Sequence, residues 1–118
     1  MDIANEKIFL MIITKDDIYN ITKENTKINY EKLTLILKDF LNSNNLKLED
    51  IQKIYVNRGP GSFAGIRNSL SIVKAINVAR NVDYYCYSLE DFKDQKDVKY
   101  EDIPNLCDKF KIKKNLIK

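Results

Sequence analysis

The chain has 118 residues, 44% hydrophobic and 31% charged, with a formal net charge of +3 and no histidine. That length makes one domain with a single core, and the absence of imidazole excludes Ser-His-Asp and Cys-His catalysis. No apolar run approaches the ~20 residues of a membrane span, the charge is too small to argue for nucleic acid, and two cysteines without companion ligands do not make a metal site.

Met1–Lys7 lacks the basic-then-apolar pattern of a secretory signal, so a cytoplasmic protein is expected. Ile8–Ile13 is a continuous apolar run, too short for a typical helix, and reads as a strand buried on both faces. Thr14–Asp17 is turn-like and Ile18–Thr22 is rich in strand formers, which together predict a hairpin. A helix is predicted over Asn29–Asn42. On a wheel its Leu33, Ile36, Leu37, Phe40 and Leu41 cover an arc of about 140°, with Leu35 on the opposite side. Asn42–Asn45 ends it with turn formers, and a short turn at Leu48–Ile51 leads to a strand at Lys53–Asn57.

All three glycines of the chain then fall together, in Asn57-Arg58-Gly59-Pro60-Gly61-Ser62-Phe63-Ala64-Gly65-Ile66-Arg67. The stretch sits between an apolar run and a long periodic segment, so it is a strand–loop–helix junction, the usual place for an anion. Pro60 stiffens the loop between two permissive glycines, and Ser62 is placed to cap the helix. Two of the three arginines, Arg58 and Arg67, border it. Arg58, Gly59, Pro60, Gly61, Ser62, Gly65 and Arg67 are therefore the candidate anion-binding set for a phosphate, a carboxylate or an acidic partner side chain. A nucleotide-binding P-loop is excluded, because no Gly-Lys-Ser/Thr occurs. A dinucleotide fingerprint fits loosely through Gly59, Gly61 and Ala64, but Asp83 begins the next strand where an acid should end it. A tight turn without any ligand is the other reading of the same residues.

Phe63–Arg80 is the longest periodic segment, with an apolar arc of about 200°, wider than a surface helix needs. It should be covered on two sides, by its own sheet and by a neighbouring element or another protein. Asp83–Tyr87 is the next strand, with Cys86 as a buried inert thiol. Ser88–Asp91 resembles a capping box opening a last helix. Glu90–Asp102 holds six acids against three lysines, whereas Lys109, Lys111, Lys113, Lys114 and Lys118 meet no acid after Asp108. Residues from about 100 to 118 are expected to be a basic, flexible tail. The predicted order, hairpin, helix, strand, helix, strand, helix, gives an α/β fold with a mixed sheet. Its last two strands should be parallel through a right-handed crossover.

Gly59 to Arg67 closely resembles the G-P-G-S-F-T-G-[LIV]-R signature of TsaB (YeaZ-type) proteins, accessory subunits of the bacterial machinery that makes threonylcarbamoyladenosine in tRNA. Leu48–Ile54 is similar to the family's approach to this loop. Tyr87-Ser88-Leu89 sits where the family has a strand ending in Val-Ser-Thr/Ser-Leu, and Asp2-Ile3-Ala4 resembles the family's opening strand cut to a stub. The resemblance spans most of this chain but about the N-terminal half of a usual member. It departs at Ala64, where the family has threonine, and at Asn68-Ser69, where it has an apolar-Gly pair. It implies one lobe of a ribonuclease-H-like, actin-like ATPase (ASKHA) fold over residues 1–118. It implies a subunit with no catalytic residues and no metal, which pairs through packed helices with the catalytic TsaD and is joined by the ATPase TsaE. On this reading Leu33, Ile36, Leu37, Phe40, Ile66, Leu70, Val73 and Ile76 would meet the partner. A homodimer is the alternative use of that surface. tRNA would be engaged only indirectly, no cofactor would be intrinsic, and ATP or ADP would enter at a partner interface. The competing reading is a small nucleotide- or phosphate-binding protein built on the glycine loop.

Overall fold

The computed structural model describes residues 1–5, 7–93 and 95–117. Its elements are β1 (Lys7–Ile13), β2 (Ile18–Glu24), α1 (Lys27–Glu31), α2 (Leu33–Ser43), β3 (Lys53–Asn57), α3 (Phe63–Arg80), β4 (Asp83–Tyr87) and α4 (Ile103–Lys109). β1 and β2 form an antiparallel hairpin, from Lys7 opposite Glu24 to Ile13 opposite Ile18. β3 and β4 pair in parallel, Lys53 opposite Asp83 through Asn57 opposite Tyr87. α3 is the crossover between them.

Residues 1 and 2 stitch these two ladders into one mixed layer. The Asp2 and Phe9 backbones exchange N–H···O bonds of 2.9 Å each. On the other side the Met1 nitrogen donates to the Tyr55 carbonyl (2.8 Å), and the Asn57 N–H donates to the Met1 carbonyl (3.1 Å). The first pattern is antiparallel and the second parallel. The stub therefore runs between β1 and β3, and the strand order is β2, β1, stub, β3, β4.

Three apolar clusters cover the two faces. Ile54, Val56, Val73, Ile76, Val82, Tyr84 and Cys86 join β3, β4 and α3. Ile3, Ile8, Leu10, Leu33 and Phe40 join the stub, β1 and α2. On the opposite face Tyr87 and Phe92 pack with Ile103, Leu106 and Cys107.

Several local expectations need correction. Ile8 and Leu10 are buried, but the other face of β1 is only half covered, and Ile13 is 47% exposed. Helix covers one side of the hairpin, whereas on the other side Tyr100 stacks on Phe9 with ring centroids 4.1 Å apart. The helix predicted over Asn29–Asn42 begins at Lys27 and breaks at Lys32 (φ −100°, ψ 12°). There the Tyr30 carbonyl accepts from Asn68 Nδ2 on α3 (3.2 Å).

Ser88 and Asp91 do form a capping box, but it opens only a short 3-10 turn, Leu89–Phe92. Residues 100–117 are not a free tail. Tyr100–Asp102 forms a 3-10 turn leading into α4, which buries Ile103, Leu106 and Cys107. Asn115 then fastens the following segment to β4: its N–H donates to the Tyr84 carbonyl (2.7 Å), and its Oδ1 accepts from the Tyr84 N–H (3.0 Å). Apolar burial outweighs the lysines, which lie outward. Lys118 lies outside the described residues.

Candidate functional site

The elbow between β3 and α3 is built by one tight local bend and two close approaches to the N-terminal stub. Gly59 adopts φ +121°, a region that L side chains rarely enter. Asn57 Oδ1 accepts from the Gly59 N–H (2.9 Å), closing the first bend. A Cβ on Gly61 would stand 2.3 Å from the Ala4 carbonyl oxygen, and one on Gly65 would stand 2.1 Å from that of Ile3. These two glycines let the elbow and the first turn of α3 lie directly against the N-terminal stub. The Ser62 N–H donates to the Ala4 carbonyl (2.7 Å), and the Ser62 hydroxyl caps α3 by accepting from the Gly65 N–H (3.3 Å).

The arginines sit differently from each other. Arg58 Nη2 donates to both carboxylate oxygens of Asp91, at 2.9 and 3.0 Å, with both side chains largely shielded from solvent. Asp91 Oδ2 also accepts from the Ser88 N–H (2.9 Å), so the pair ties the end of β3 to the turn after β4. Arg67 lies over the Phe63 ring, 5.8 Å from its centroid, on the exposed side of α3. Of the seven candidate anion-binding residues, then, Gly59, Ser62, Gly65 and Arg58 have internal hydrogen-bond partners and Gly61 packs on Ala4, while Arg58 Nε is buried without a partner among the described residues. Pro60 is exposed, and Arg67 faces solvent.

The nearest buried carboxylate is Asp2, 4% exposed. Its Oδ1 accepts from the Ala4 N–H (3.0 Å), and its Oδ2 accepts from the Tyr100 hydroxyl (2.8 Å). Burial, and then this carboxylate, push the Tyr100 phenol well above its ordinary range. Asp2 is a structural acceptor that fixes the stub. Burial also pushes the Cys86 thiol up to about 11 and the Cys107 thiol up to about 12, which suits inert core residues. Among the described residues no cluster of metal-ligating side chains occurs. Among the same described residues no helix is long and apolar enough to cross a membrane.

The residues expected to face a partner divide sharply. Leu33, Phe40, Val73 and Ile76 are 1%, 5%, 1% and 8% exposed and belong to the chain's own core. They are not available to another protein, because the sheet and α2 consume the strongest apolar stripe of α3. Ile36, Leu37, Ile66 and Leu70 are half-buried at the margins. The outer face of α3 is formed by Phe63, Ala64, Arg67, Ser71, Lys74 and Val78, which lie within an arc of about 100°. Phe63 is 76% exposed and Val78 80%. Val78 was missed because the inward stripe dominates the periodicity. Asp91 was missed although its place was legible: Arg58 and the Ser88–Asp91 box follow the same ends of two neighbouring parallel strands.

The polar Asn68-Ser69 pair is accommodated without loss of packing. Ser69 is completely buried, and its hydroxyl donates to the Ile66 carbonyl (2.9 Å).

Comparison with known proteins agrees with this geometry. The family described as "TsaD: tRNA N6-adenosine threonylcarbamoyltransferase" matches residues 24–88, over half of the chain. This chain belongs to that family. The individual relatives it resembles are of the TsaB (YeaZ) type. The tRNA threonylcarbamoyladenosine biosynthesis protein TsaB of Buchnera aphidicola subsp. Baizongia pistaciae is 29% identical over 75 residues, 64% of this chain and 34% of that protein. The chain thus spans about a third of the length of that curated relative. YeaZ from Pseudomonas aeruginosa superposes with a TM-score of 0.68 at 20% identity, over 74% of this chain and 41% of YeaZ. A second solved structure, an uncharacterized protein similar to peptidase YeaZ from Pseudomonas aeruginosa, superposes with the same TM-score at 18% identity. It covers 80% of this chain and 46% of its own length. The fold is that of YeaZ, an actin-like, ribonuclease-H-like α/β lobe.

Proposed function

We propose that this chain is a TsaB-type, non-catalytic docking subunit of the system that makes threonylcarbamoyladenosine in tRNA, and that it binds a TsaD-type catalytic subunit through the outer face of α3. The observation that carries this reading is the solvent-facing pair Phe63 and Val78, 76% and 80% exposed on a helix held rigidly by the elbow. Ala64, Ser71 and Ala75 lie beside them, small enough for a second helix to approach closely. Ile66 and Leu70 border this face and supply its apolar rim. A TsaE-type ATPase would join the assembled pair, and tRNA would be contacted through the catalytic partner. Self-association through the same face is the competing use of it.

The phosphate-binding reading has less support. The Gly59 and Ser62 N–H groups, the Ser62 hydroxyl and Arg58 Nη2 are spent on Asn57, Ala4, Gly65 and Asp91, so these groups are not available to a nucleotide. An ATP or ADP at a partner interface would have to rely on Arg67 and groups outside this chain.

Co-purification with the TsaD-type protein of the same source tests the proposal. Val78→Glu combined with Ala75→Arg should weaken the complex at least tenfold while leaving the thermal midpoint unchanged. An intact complex would refute the helix-face assignment, and no complex with the native chain would refute the docking role. Val73→Glu is no substitute, since a charge there is buried in the chain's own core. Calorimetry with ATP that registers binding lost on Arg67→Ala would instead favour the nucleotide reading.

A further inference from the structure

Charge is distributed unevenly over the helices. α3 carries Arg67, Lys74 and Arg80 and no acidic residue, whereas α1, α2 and α4 each mix the two signs. With 20 Lys and Arg against 17 Asp and Glu in the chain, α3 alone accounts for the net +3. Arg67 and Lys74 are both exposed and lie about 20° apart on the helix wheel, between the directions of Phe63 and Val78. Seven residues separate them, two turns or about 10.5 Å along the axis. Phe63 and Val78 stand at the two ends of the same stripe. The apolar contact face is thus also a row of cations.

The chain itself uses neither Arg67 nor Lys74. Among the described residues the ion pairs are Lys7 with Glu24, Arg58 with Asp91 and Lys114 with Asp83. Arg67 lies over the Phe63 ring instead. A guanidinium stacked on a ring spends its flat face and leaves its in-plane N–H fork open, the geometry that takes a carboxylate in two parallel hydrogen bonds. Lys74 offers a point charge two turns further on. An apolar surface closing over this face would strand both cations without water or partner.

A second copy of this chain does not answer them. Two copies meeting through this face would be related by a two-fold axis, so the patch meets itself. An antiparallel pairing centred between Leu70 and Ser71 sets Phe63 against Val78, and the same operation sets Arg67 against Lys74. A parallel pairing sets each cation against its own counterpart. Both gather four cations without an acid, and juxtaposed like charges oppose association.

We infer that the outer face of α3 selects an acidic helix of another protein and rejects a second copy of this chain. The matching helix carries two carboxylates about two turns apart, with small residues between them. Its apolar side chains meet Phe63 and Val78. This selectivity rests on the docking role proposed above and specifies the chemistry of the partner's surface.

The test uses the full chain and the TsaD-type protein of the same source, with association followed by stopped flow and the chain alone followed by sedimentation. The association rate should fall about tenfold or more between low salt and about 0.5 M salt. Arg67→Gln combined with Lys74→Gln should weaken the complex about tenfold and remove most of that salt dependence. Arg67→Glu combined with Lys74→Glu should weaken it further. Lys15→Glu combined with Lys23→Glu makes the same change in net charge on the hairpin, and should stay within about twofold of the native affinity. All six substitutions are at exposed positions, so thermal midpoints should hold. A complex that forms but ignores salt and the α3 substitutions overturns this inference and leaves the docking role standing. Equal losses on the α3 and hairpin reversals also overturn it, by reducing the effect to overall charge. So does a native dimer that dissociates on Val78→Glu. If the native chain forms no complex at all, the docking role falls and this inference with it.

Discussion

Gly65 is the residue with least room to change. Its missing Cβ leaves space for the Ile3 carbonyl and for the Tyr30 hydroxyl, 2.1 and 2.5 Å from where that carbon would stand. Gly65→Ala forces backbone apart from backbone, and a loss of about 1–3 kcal/mol or more is expected in urea unfolding. The Tyr30 hydroxyl is buried without a hydrogen-bond partner among the described residues. Tyr30→Phe should therefore be neutral or slightly stabilising, within about 0.5 kcal/mol. Arg58 offers a sharper choice between readings. Held by Asp91 at 2.9 and 3.0 Å in a shielded site, it should cost about 1–3 kcal/mol of stability on Arg58→Ala. A double-mutant cycle with Asp91→Ala should give a positive coupling. If Arg58→Ala leaves unfolding unchanged and alters only anion affinity, the structural role assigned to the pair is wrong.

At the scale of elements, the closing segment repays attention because its charge disguises its packing. Ile103, Leu106, Cys107 and Phe110 recur at helical spacing, and all pack in one cluster with Tyr87 and Phe92. The docking predicts chemical behaviour. With thiols pushed up to about 11 and about 12, Cys86 and Cys107 should alkylate at pH 8 only as fast as the chain unfolds. Rapid labelling of Cys107 in the native protein would show that α4 detaches on its own. Asn115 gives a second check. Its side chain donates to Asp83 Oδ1 (2.9 Å), and this bond is the main reason the Asp83 carboxyl lies below its ordinary 3.8. A carboxyl depressed in the folded state adds stability above the unfolded value and loses it as pH falls through the folded one. Asn115→Ala should thus lower stability at pH 7 and flatten the decline below pH 4, as read by thermal midpoints across pH.

For the molecule as a whole, what could be read from sequence depended on how far apart the interacting residues lie. Lys53–Asn57, Phe63–Arg80 and Asp83–Tyr87 emerged at their observed bounds, because a strong period or a short apolar run was framed by clear punctuation. The glycine elbow was legible as a feature, but its purpose was not. The groups it accommodates, Ile3 and Ala4, lie nearly sixty residues earlier, and no local pattern announces them. The same holds for Arg58 with Asp91 and for Asp2 with Tyr100. The partner-facing set was misjudged at Leu33, Phe40, Val73 and Ile76 because amphipathicity identifies a sticky face without saying which surface meets it. The tail was misjudged because lysine counts overshadowed a heptad-like apolar spacing.

One feature of the sheet bears on how the whole lobe melts. The hairpin and the parallel pair are linked along the sheet by four backbone hydrogen bonds, all made by Met1 and Asp2. Two residues therefore hold two separately zipped ladders in one register. Removing residues 1–4 should uncouple them, so that a single sharp calorimetric transition broadens or splits into two while the helical signal of α3 persists to the higher one. Cooperativity here is a property of the first two residues as much as of the core.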